Sequence, residues 1–157
     1  RISMKDAEGK EVAFEQLELP KMVKAIPEGK GKAQITQEGE TAVITGEGFS
    51  YKFNLHYGYL EDLNGYLKSP MELTIWKAPT DNERRVKRQW YEEKYDKTHT
   101  KVYDCTVEGN QIRVKASVAP VARSPLFRYE VVYTFFEDGR IDVKLEGDFS
   151  QDRVFLP

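Results

Sequence analysis

Apolar positions along this chain recur mostly at every second residue. Phe49, Tyr51, Phe53 and Leu55 alternate with Ser50, Lys52, Asn54 and His56, the period of a strand with one buried face. Val12 to Leu19 follows a similar rhythm and stops at Pro20, a residue that cannot donate to a sheet ladder. Further strands are expected over Ala33–Gln37, Thr41–Gly46 and Leu73–Trp76. The second half adds Lys101–Val107, Gln111–Val118, Phe127–Phe136 and Arg140–Glu146. Glu38-Gly39-Glu40, Glu108-Gly109-Asn110 and Glu137-Asp138-Gly139 supply the turns between neighbours. Asn64-Gly65 predicts a tight hairpin turn joining Tyr59-Leu60 to Tyr66-Leu67.

One stretch has a different period. Over Glu83–Tyr95, Val86 and Trp90 stand about one turn apart among charged residues, which predicts one short helix with Asp81 or Asn82 as its cap. Residues 21–32 hold Pro27, Gly29 and Gly31 among lysines and read as a linker. Many short strands with Gly and Asn turns predict an all-β fold, an antiparallel β-sandwich.

Composition narrows the possible roles. The 157 residues carry a formal charge of −2, so no global field attracts nucleic acid or anionic lipid. No apolar run approaches the roughly 20 residues that span a bilayer. The first residues, Arg1-Ile2-Ser3-Met4, and the last, Val154-Phe155-Leu156-Pro157, read as the cut edges of an excised segment. The single cysteine, Cys105, has no partner for an internal disulfide, and its strand-like setting favours an inert, half-buried thiol over a nucleophile.

Candidate chemistry is sparse. Hydrolysis by paired carboxylates needs two acids flanking one bond. Asp81 and Glu83 are two apart, and on extended chain they would point to opposite sides. Glu92 and Glu93 fall on a solvated helix face. His56 and His99 stand alone, whereas a metal needs converging ligands. Arg84-Arg85-Val86-Lys87-Arg88 is a basic cluster, but Glu92 and Glu93 follow and cancel part of its field. Trp90 reads first as a core anchor, with sugar stacking as the sharper alternative. No catalytic residue and no metal site is expected in the chain.

One motif is far more specific. Trp76-Lys77-Ala78-Pro79-Thr80-Asp81-Asn82-Glu83 resembles the Trp-Arg-Ala-Pro-Thr-Asp-Asn-Asp signature of the large multidomain β-galactosidases of glycoside hydrolase family 2. Phe49-x-Tyr51-x-Phe53 and Gly58-x-Leu60 precede it as in that family's C-terminal domain. Asp138-Gly139-Arg140-Ile141 is similar to a later hairpin, and Leu156-Pro157 to the start of a Leu-Pro-Arg-Ile-Gly segment. Glu11 to Gln16 is similar to a strand closing the preceding immunoglobulin-like domain.

The resemblance implies placement. Residues 1–20 would be the tail of that preceding domain, 21–32 a linker, and 33–157 the N-terminal part of a β-supersandwich. It implies a non-catalytic C-terminal region of a β-galactosidase, acting as scaffold and lining the rim of a sugar pocket. The parent would be a retaining hydrolase of terminal β-galactosides, its glutamates lying in a barrel elsewhere, and this segment alone would be inactive. The rim candidates are Trp76, Asp81, Asn82, Glu83 and Trp90. The implied partners are other domains of the same polypeptide and the β-galactoside, with room for a homo-oligomer. No cofactor is implied for this segment; Mg or Na ions would belong to the parent. The compartment is unknown, with the cytoplasm favoured. Lys77 and Glu83 depart from the usual Arg and Asp, and Arg84-Arg85 stands where a small Gly is expected, which argues against a glycine-hinged loop. A stand-alone carbohydrate-binding sandwich is the alternative.

Overall fold

The computed structural model describes residues 1–16, 27–150 and 157. Their strands form three antiparallel sheets. The first is an isolated hairpin of β1 (Ile2–Lys5) and β2 (Glu11–Glu15), exposed along both strands. The sequence pattern foresaw β2; the rest of its expected run, from Leu17 to Pro20, lies outside the described residues. The four-residue β1 was not foreseen: Ile2 and Met4 alternate with Ser3 and Lys5, but four residues are too short a run to mark a strand.

The other two sheets form the sandwich. One has the order β3 (Gln34–Glu38), β4 (Thr41–Gly46), β5 (Phe49–Asn54) and β6 (Tyr59–Leu63). The second runs β10 (Ile141–Phe149), β9 (Phe127–Phe135), β8 (Gln111–Pro120) and β7 (Thr98–Glu108). Both are meanders, because each strand is joined to the next by a short turn.

Alternation decides what is buried. Ala42, Ile44, Phe53 and Leu60 face inward from the first sheet, and Ile112, Val114, Ala116, Val131, Tyr133 and Phe135 from the second. The Phe53 ring meets Tyr133 edge-on at 5.1 Å, a favoured aromatic geometry. In β7 the register slips between Val102 and Asp104. This bulge shifts the inward phase from even to odd residues, so Cys105 and Val107 join Val102 against the core. The outward face of the second sheet carries Arg113, whose guanidinium pairs with Glu130 across β8 and β9.

Lys30, within the expected linker stretch, and Ala33, just after it, bond to the β9–β10 turn and the end of β9. Glu137 N–H donates to the Lys30 carbonyl at 3.0 Å, and Ala33 N–H to the Phe135 carbonyl at 3.2 Å. Tyr51 Oη donates to the Gly139 carbonyl at 2.8 Å, tying the two sheets at this end.

Two expected strands are not there. Asn64 and Gly65 make the tight turn, both with positive φ, but Tyr66-Leu67 does not pair back as a strand. Two backbone bonds link residues 66–80 to β6: Tyr66 N–H to the Leu63 carbonyl at the turn and Met71 N–H to the Leu60 carbonyl, each at 2.9 Å. Leu73–Trp76 is also irregular. Its apolar side chains divide between sites: Leu73 lines a cleft, while Ile75 and Trp76 pack on a second small core.

Part of the sandwich's inner face is uncovered. A cleft of about 410 Å³ opens between Tyr57–Tyr59, Met71–Leu73 and the second sheet. Val143 and Leu145 line it, and they remain 52% and 42% exposed on the outermost strand.

Candidate functional site

The site is built on the segment from Ile75 to Tyr95, which leaves the sheets and returns at β7. It is anchored by a second core of Trp90, Tyr95 and Leu126, with Ile75, Trp76 and Val86 against it. Trp90 is only 3% exposed, so its indole serves as the anchor and offers no open face to a sugar.

The expected helix over Glu83–Tyr95 is shorter than its pattern. Asp81–Glu83 forms a 3₁₀ turn, and α1 covers only Lys87–Glu92. The end of α1 explains the difference. Lys94 adopts a left-handed φ of 58°; its N–H donates to the Tyr91 carbonyl at 3.1 Å, and Tyr95 N–H donates to the Trp90 carbonyl at 3.0 Å. This is a Schellman closure, normally marked by glycine, with the accompanying Tyr95–Trp90 apolar contact. Lysine in the glycine position hid the boundary.

The signature loop is braced from within. Neither Asp81 nor Asn82 caps the helix: α1 begins after Val86 with no side-chain cap bond, and Thr80 is the N-cap of the 3₁₀ turn that precedes it. Thr80 N–H donates to Glu83 Oε2 at 2.7 Å, and Thr80 Oγ1 donates to the same oxygen at 3.1 Å. Glu83 Oε1 accepts from the Lys77 ammonium. The Lys77 bond, then the Thr80 amide, hold the Glu83 carboxyl below its ordinary range. The Lys77 Nζ also lies 5.7 Å from the Trp90 ring centroid, within cation–π reach. Asp81 and Glu83 part as expected, though on a 3₁₀ turn and not on extended chain: Glu83 turns inward while Asp81 and Asn82 stay exposed.

Trp76 is half-buried, and its ring meets Trp90 edge-on at 6.4 Å and Tyr91 at 5.4 Å. Tyr91 is 50% exposed. Sequence reasoning missed Tyr91 as a site residue, and also Lys77 and Thr80. The spacing of Thr80 and Glu83 matches a capping box, which could have exposed the brace. Arg84, Arg85 and Lys87 are exposed, and Arg88 pairs with Glu92.

The remaining candidates lie elsewhere. His56 is exposed, 3.6 Å from Glu40 and edge-on to Tyr57. His99 is exposed at the cleft mouth. Among the described residues no cluster of three His, Cys, Asp or Glu could hold a metal ion. No described helix is long and apolar enough to cross a membrane.

Residues 45–157 match the protein family described as Beta galactosidase small chain. This chain belongs to the β-galactosidase small-chain family. Its signature loop, β5 and β6 of the first sheet and all four strands of the second fall within the matched residues. The sequence is also 26% identical over 117 residues to a protein named Beta-galactosidase from Actinobacillus pleuropneumoniae. That alignment covers 69% of this chain and 12% of the relative's length.

Proposed function

We propose that this chain is a non-catalytic part of a β-galactosidase, a sandwich scaffold that presents the Trp76–Glu83 loop to the rim of a sugar pocket formed by other domains. The observation that carries the reading is the match of residues 45–157 to the small-chain family. The exposure of Asp81 and Asn82 on a braced turn supports the rim role, since a rigid scaffold can fix loop groups at a neighbouring site. Carboxylate and amide side chains can accept and donate hydrogen bonds to sugar hydroxyls. Trp76 and Tyr91 flank that edge with partly exposed aromatic surface suited to a sugar's apolar face. The parent enzyme would hydrolyse terminal β-galactosides with glutamates supplied elsewhere, and any Mg or Na ion would act there.

The test uses the full-length polypeptide that contains this chain. Asp81→Ala and Asn82→Ala should each raise KM for a synthetic β-galactoside with the thermal melt unchanged. Unaltered KM and kcat in both variants would refute the rim role.

The Trp76–Tyr91 surface also favours a second reading, a carbohydrate-binding module that works alone. Titrating the 157-residue chain with galactose or lactose while following tryptophan fluorescence separates the two. A saturable change supports independent binding; a flat response leaves the scaffold reading ahead.

A further inference from the structure

We infer that Lys77 and Glu83 are positioning residues, a two-armed clamp that closes the 77–83 turn and holds Asp81 and Asn82 outward.

The geometry assigns each carboxylate oxygen a separate task. Glu83 Oε1 takes the ammonium of Lys77 at the start of the turn. Glu83 Oε2 takes both the amide and the hydroxyl of Thr80 at its middle. One side chain therefore binds two points of the loop, and Lys77 adds a contact to the ring of the buried anchor Trp90. Asp81 and Asn82 occupy the span between these ties. They are left exposed because the neighbouring acid, not they, satisfies the free backbone donor.

The clamp's reach is the sum of its two arms, which meet directly. Lengthening the cationic arm to Arg while shortening the anionic one to Asp should preserve that sum. The ammonium's point charge, unlike a planar fork, suits a carboxylate that must keep one oxygen for Thr80.

This role rests on the rim reading above, so the test reads the clamp and the rim separately. In the full-length polypeptide, Lys77→Met, Glu83→Gln, Lys77→Arg, Glu83→Asp and the double Lys77→Arg/Glu83→Asp variant are compared. The first readout is native trypsin cleavage after Arg84 and Arg85, both exposed beside the clamp, followed by mass spectrometry. The second is KM and kcat for o-nitrophenyl β-galactoside. Lys77→Met and Glu83→Gln should speed cleavage by roughly threefold, the scale of one exposed ion pair on a local opening. They should raise KM more than they lower kcat. The double variant should return toward the parent's cleavage rate and KM, while each conservative single variant stays impaired. Unchanged cleavage in Lys77→Met and Glu83→Gln, or a double variant worse than both singles, would overturn the clamp. Faster cleavage with KM unchanged would overturn the positioning role alone; the rim reading would then stand or fall on KM in Asp81→Ala and Asn82→Ala.

Discussion

Truncating Trp90 to alanine takes the buried indole out of the second core. A buried Trp hides about 150–250 Å² of surface, which at about 25 cal/mol per Å² corresponds to roughly 4–6 kcal/mol. Large-to-small core truncations of this kind cost about 3–5 kcal/mol, and with the ring 3% exposed the upper part of that range applies. The loss should be local. Trp90 packs with Tyr95, Leu126, Ile75, Trp76 and Val86, a cluster separate from the core between the sheets. The chain has two tryptophans, so in Trp90→Ala the remaining indole, Trp76, reports on the same cluster. Urea unfolding followed by Trp76 fluorescence should shift to lower denaturant by roughly 2 M, taking a typical denaturant dependence for a small domain. Far-UV circular dichroism, dominated by the two large sheets, should shift much less. Trp90→Phe should recover part of the fluorescence shift. A fluorescence-detected stability loss of less than about 1 kcal/mol, a midpoint shift under roughly 0.5 M, would show that the ring is not an anchor. Equal shifts in both signals would show that the two cores unfold as one unit.

Other outcomes follow from single features. Gly58 has φ +69°, and an added Cβ would meet Val114 Cγ1 at 2.7 Å. Gly58→Ala should therefore cost about 2–4 kcal/mol, whereas Gly39→Ala, at φ +63° with open space, should cost only the backbone part of about 1–2 kcal/mol; thermal melts of the two compare them directly. Burial, then the Asp104 charge, push the Cys105 thiol up to about 11. Iodoacetamide should label it slowly at pH 8. Because the folded state resists thiolate formation, stability should fall as pH rises from the ordinary 9.0 through about 11, a slope that Cys105→Val should flatten in urea titrations. Val143, Leu145 and Phe149 expose 52%, 42% and 47% of their surface along β10, so the 157-residue chain should self-associate with concentration. Val143→Lys/Leu145→Lys should weaken that at a stability change within about 0.5 kcal/mol per site. A parent chain that stays monomeric by analytical ultracentrifugation at high concentration would contradict it.

Most of the sandwich was legible in the sequence, because a strand with one buried face writes that face every second residue. The alternation at Phe49–Leu55, the strands of the second half and their glycine turns correspond to β5 and β7–β10. The signature at Trp76–Glu83 pointed to the β-galactosidase family. Leu73–Trp76 misled because apolar residues next to one another need not share a face. Leu73 serves the cleft, and Ile75 and Trp76 serve the second core.

What the sequence by itself determined was the fold class, the family and the loop on which any rim role must rest, since periodicity, turn chemistry and a specific motif are local properties of the chain. Tertiary structure alone decided which groups that loop spends internally. Whether Trp90 faces solvent, or whether Glu83 is free, depends on contacts with residues up to dozens of positions away, such as Leu126 against Trp90, and on how the turn folds Lys77 and Thr80 onto one carboxylate. Those contacts arise only after the chain has folded back on itself, and pattern along a line does not encode them.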